Sequence, residues 1–178
     1  MMRHAEHQKA TNNATCLNRR SLAAIALALL TSAGTADADD AAVCVGAFAK
    51  EQWTRALPAC TKAANQGDAG AQYFLGFMYN NGHGVVQDYV QAAKWHMQAA
   101  ERGNMHSQVL LGRLYREGHG VAQDYVRAHM WFNLAAASGH GVARNNRDTV
   151  ASKMTREQIA RAQKMATDCK AKNYKNCN

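Results

Sequence analysis

"NNGHGVVQDYV" at residues 80–90 returns as "REGHGVAQDYV" at 116–126, identical at eight of eleven positions. Two explanations compete for such a stretch. A Gly-His-Gly-Val loop could cradle a phosphate or hold a metal, or it could be the hinge between two helices of a repeated unit. The surrounding sequence favours the hinge. Residues 68–103 align with 104–139 without a gap, with 17 identities in 36 positions, and a period of this length belongs to solenoids and arrays.

Within each unit the residues divide into two helices. Ala71, Leu75, Met78 and Tyr79 fall on one helical face, as do Ser107, Leu111, Leu114 and Tyr115, the spacing of an amphipathic helix. Gly76 and Gly112 lie at the edge of that stripe, where a missing Cβ lets a neighbour approach; a mid-helix glycine costs roughly 1 kcal/mol against alanine, so packing must favour it. Gly82 and Gly118 sit where a helix ends on a left-handed residue. Asp88 and Asp124 stand where an N-cap carboxylate accepts backbone N–H groups. Second helices follow, with Tyr89, Ala92, His96 and Ala99 on one face, and Gly103 and Gly139 stop them. The spacing predicts helices near 68–80, 87–102, 104–117 and 123–138, and no sheet.

The pattern extends outward. Ala56, Ala63, Ala64 and Gly67 precede Ala92, Ala99, Ala100 and Gly103 by the same 36 residues, and Trp53 takes the place of Tyr89. A partial repeat is therefore expected over 41–67, repeats over 68–103 and 104–139, a basic helical cap over 140–172 with a Thr155/Gln158 capping box, and a short tail over 173–178. Before all of these, Arg19-Arg20, the apolar run Leu22–Leu30 and Ala36-Asp37-Ala38 read as a cleaved secretory signal over 1–38. The apolar run is far short of the roughly 20 residues a spanning helix needs, so export to the periplasm or medium without an anchor is expected. In an oxidising compartment the even set Cys44, Cys60, Cys169 and Cys177 suggests two disulfides, most simply 44–60 and 169–177.

At this point the chain resembles the Sel-one-like repeats, longer-turned relatives of the tetratricopeptide repeats. The resemblance rests on "AQYFLGFMYNNGHGVVQDYVQAAKWHMQAAERG", on its copy, and on "RDTVASKMTREQIARAQKMA". It implies an all-α fold, a right-handed α-solenoid of antiparallel helix pairs, used mainly to hold other proteins. By tetratricopeptide analogy the concave side would be lined by Tyr73, Phe77, Asn80 and Asn81 from one unit and by His106, Val109, Arg113, Arg116 and Glu117 from the next. Tyr73 and Phe77 beside two arginines have the composition of an interface hot spot. The expected partner is another protein or peptide, bound by a monomer.

Other functions find little support. His83 and His119 recur in successive turns, but repeats stack about 10 Å apart and no third ligand recurs beside them, so no metal or other cofactor is expected. The G-H-G-V loop precedes no Walker lysine, and the helix after it begins with an acidic residue that would repel a phosphate. No nucleophile motif surrounds the serines, so no catalytic residue is assigned. Some cysteine-rich relatives are associated with β-lactams, but they carry cysteine pairs in successive repeats, and neither full repeat here has one. Charge raises one alternative. Residues 39–143 hold eight basic and eight acidic side chains, whereas 144–178 hold nine against three. Such a cap, with Lys164, Lys170 and Lys172, could bind an envelope ligand; export and the lack of interleaved aromatics argue against nucleic acid.

Overall fold

The computed structural model describes residues 39–177; the expected signal segment lies outside the described residues. Among the described residues every regular element is helical. Residues 39–49 form α1, followed by α2 (Trp53–Asn65), α3 (Ala69–Asn81), α4 (Tyr89–Ala100), α5 (Met105–Glu117), α6 (Tyr125–Ala137), α7 (Gly141–Ala151) and α8 (Arg156–Ala171). Consecutive helices pack from α2 through α7, and α8 returns onto α6. The chain is an all-α solenoid of helix pairs.

Local chemistry sets the boundaries. The Asp68, Asp88, Asn104 and Asp124 side chains each accept a backbone N–H from the first turn of the helix they precede, satisfying donors that have no partner within the helix. Helices α3 and α5 end on Gly82 and Gly118, left-handed at φ 72° and 74°. Thr155 and Gln158 form the expected capping box at the start of α8.

The recurring stretch joins these elements residue by residue. The Asp88 N–H donates to the Tyr79 carbonyl and the Asp124 N–H to that of Tyr115, both at 2.9 Å. Gln87 and Gln123 donate through Nε2 to the carbonyls of Asn80 and Arg116, each at 2.8 Å, closing the turn. Val85 and Val121 point inward against the two halves of the core. The histidine and second glycine reach the preceding unit. His83 stacks on Trp53 with centroids 4.4 Å apart and rings 12° from parallel, and His119 stacks on Tyr89 at 4.7 Å and 22°. A Cβ on Gly84 would lie 2.9 Å from Trp53 Cβ, and one on Gly120 would meet the Tyr89 and Val90 backbone. One unit's turn therefore plugs into the helix start of the unit before it.

Two core clusters, centred on Leu75 and Met78 and on Leu111, Trp131 and Phe132, run along the array. Gly76 and Gly112 play the role their position suggests: a Cβ there would sit 2.8 Å from the His96 ring and 2.7 Å from the Phe132 ring. Disulfides Cys44–Cys60 and Cys169–Cys177 join α1 to α2 and the end of α8 to the tail.

His96, fully buried, occupies the position that Phe132 fills one repeat later. Its Nδ1 lies 3.4 Å from Ser107 Oγ, its Nε2 has no partner, and burial lowers its pKa to about 3. Burial first, and then the Arg147 charge, pushes His129 in the same direction. An unfolded histidine titrates near 6.5, so between that pH and about 3 the unfolded chain binds the extra proton. Stability is complete above that range and falls as pH drops, by roughly 2 kcal/mol at pH 5 for His96 alone. Urea midpoints should therefore decrease from pH 7.5 to pH 5, and His96→Phe should flatten that dependence. Equal midpoints at the two pH values in the unaltered chain would refute this.

Candidate functional site

The first helices of successive units, α3, α5 and α7, present one face on which the expected binding residues can be followed individually. Tyr73 is half-buried, with its ring 6.4 Å from Phe77, 5.2 Å from Phe74 and 5.6 Å from His106 on the next unit. Desolvation raises its pKa, so the phenol remains a neutral hydrogen-bonding group at any physiological pH. His106 is exposed, and His140 at the start of α7 meets it edge-on at 5.3 Å. The His140 Nδ1 atom is buried without a partner. Tyr73, His106 and His140 thus form a short row of rings crossing three units.

The remaining residues divide. Arg113 is exposed and enters no ion pair among the described residues. Arg116 is bound to Glu117, whose other oxygen lies 3.4 Å from His119 Nδ1. Asn81 donates to the Phe77 carbonyl at 2.8 Å, and Asn80 lies beside Asn81 at 3.4 Å.

Two expectations change. Val109 is 7% exposed and belongs to the core around Trp131, which removes it from the surface. Phe77 is not a free anchor. The Phe48 ring of α1 covers it at 5.5 Å and His83 stacks on it at 5.7 Å, so its truncation would loosen the fold as well as any contact. The sequence pattern held no sign that α1 lies over Phe77.

The chemical alternatives can be weighed against this geometry. The ring faces of His83 and His119 are occupied by Trp53 and Tyr89, which gives these turns a structural task. Among the described residues no group of three or more His, Cys, Asp or Glu side chains converges as a metal site. Ser107 and His96 approach as a nucleophile and base would, yet both are 0% exposed, so no substrate reaches them. On α8 the cations Arg156, Arg161, Lys164 and Lys170 are exposed, and Lys164 pairs with Asp168 at 2.9 Å. No helix among the described residues is long and apolar enough to cross a membrane.

The Sel1 repeat matches residues 69–104 and 106–140, nearly the units read from the 36-residue period. No curated protein matches the chain. Among solved structures, it is similar to a protective antigen present in uropathogenic Escherichia coli strains and displaying an SLR fold, with 30% identity and a TM-score of 0.74 over 90% of this chain and 35% of that one. It is also similar to a Sel1 repeat protein from Oxalobacter formigenes, with 28% identity and a TM-score of 0.57 over 59% of this chain and 42% of that one. The chain thus spans well under half the length of either.

Proposed function

The chain carries two Sel1 repeats, and from that premise we propose that it is an exported, non-enzymatic scaffold that holds another protein on the face formed by α3, α5 and α7. The observation that carries the proposal is the set Tyr73, His106 and Arg113, in which an amphipathic aromatic, an imidazole and a guanidinium that enters no ion pair among the described residues stand on the first helices of successive units. Such side chains dominate binding energy where they are desolvated by a partner. Export accounts for the two disulfides, which persist outside reducing compartments.

The face can be tested by capture from a cell-envelope extract on the immobilised protein. Tyr73→Ala and Arg113→Ala should each weaken retention by about 1–3 kcal/mol, with melting nearly unchanged for the exposed arginine. Leu75→Ala should reverse the pattern, costing about 2–5 kcal/mol of stability as a core truncation. The α8 cations offer the second reading, an envelope ligand binder. Replacing Lys164, Lys170 and Lys172 together with glutamine would abolish retention under that reading and leave it intact under ours.

A further inference from the structure

The charge pattern along the first-helix face specifies what kind of segment fits it. Helix α3 contributes no charged side chain, only Tyr73 and the partly covered Phe77 flanked by Asn80 and Asn81. Helix α5 contributes His106, Arg113, Arg116 and Glu117. The Glu117 carboxylate is held by Arg116. Arg113 remains exposed and enters no ion pair among the described residues. The face is therefore polarised along the array, aromatic and uncharged on one unit and cationic on the next.

We infer that this face binds an extended peptide segment presenting an apolar side chain to Tyr73 and, about three residues on, a carboxylate to Arg113. The spacing follows from the repeat: successive units stack about 10 Å apart, and an extended chain advances about 3.3–3.6 Å per residue. The 5.6 Å separation of the Tyr73 and His106 rings places the aromatic half and the start of the cationic half side by side. A guanidinium without a partner offers a planar fork that matches a carboxylate in two parallel hydrogen bonds. His106, exposed between the two positions, lines the path joining them. A basic segment would meet Arg113 with like charge, so the polarity also rejects a class of wrong partners.

This inference rests on the scaffold reading, and the experiment separates their failures. Short fluorescein-labelled peptides in a Gly-Ser background carry one Phe, Tyr or Leu, with Glu, Gln or Lys placed at successive distances from it. Anisotropy is read with the disulfide-bonded chain. The glutamate peptides at a spacing of about three should bind about tenfold tighter than their glutamine counterparts, near 1.4 kcal/mol, with the lysine peptides weakest. Arg113→Gln should erase the glutamate advantage while leaving the aromatic preference. Tyr73→Ala should weaken every peptide and leave the glutamate advantage. Binding that ignores charge but is lost in Tyr73→Ala overturns the inference and spares the scaffold reading. Failure of every peptide overturns the inference too, and envelope capture then decides the scaffold reading separately. Loss of binding in the Lys164, Lys170 and Lys172 glutamine variant, with Arg113→Gln unaffected, overturns both.

Discussion

Gly120→Ala is expected to lower the melting temperature by about 10 °C, as much as a typical core truncation. Two costs add. Gly120 has a φ of 68°, where a side chain costs roughly 1 kcal/mol. A Cβ there would also collide with the Tyr89 backbone at the start of α4, and backbone cannot yield as a flexible side chain does, which adds about 1–3 kcal/mol of overpacking. For a chain of this size each kcal/mol moves melting by about 3–4 °C. Gly139→Ala isolates the first cost, since Gly139 is left-handed at φ 91° with nothing within 4 Å of its would-be Cβ. Calorimetry of the two variants separates strain from collision. Equal melting temperatures would mean that the second glycine of the turn is not the contact point between units.

Breaking the Cys44–Cys60 bridge by substituting both residues with alanine is expected to cost about 3 kcal/mol, the entropy of an unfolded loop with this 16-residue separation. The loss should be local before it is global. Helix α1 is the first of the described helices, and its Cys44 and Ala47 are buried in the cluster it shares with α2 and α3. Amide exchange should therefore accelerate first over residues 39–49, and the release of Phe48 should uncover Phe77. Unchanged protection there would show that packing alone holds α1.

The architecture was legible because its signals are local and repeat. Asp88 and Asp124 announce N-caps, Gly82 and Gly118 announce left-handed stops, and the observed helices fall within three residues of the expected bounds. Gly76 and Gly112 could be read as close-approach sites because a mid-helix glycine needs a packing reason, although the rings opposite them, His96 and Phe132, could not be foreseen from the stripe itself. The candidate face was legible only in part. Helical periodicity places Val109 and Tyr73 at the same register, yet one is core and the other half-exposed, because exposure there depends on a neighbouring helix rather than on the residue's own. Phe77 was misjudged for the same reason: Phe48, on a helix nearly thirty residues away, does not share the repeat. The histidines of the turn were weighed as ligands and then as punctuation. Their stacking partners, Trp53 and Tyr89, lie thirty residues upstream of each, a separation that only the stacked units bring together.

The ring plugged by each turn has a further member. Tyr125 stands one period beyond Tyr89, and no histidine follows to stack on it; Lys153 lies over its ring instead, with Nζ 5.8 Å from the centroid. Socket and plug thus recur along the interior, and the last socket is closed by a different residue. A lineage carrying this chain could gain or lose whole 36-residue blocks between the ends without inventing any new joint, because every interior block offers the same pair of mating parts. Growth past α6 is another matter, since it would first have to evict Lys153. The inheritance of length in such a protein is therefore written inside the array.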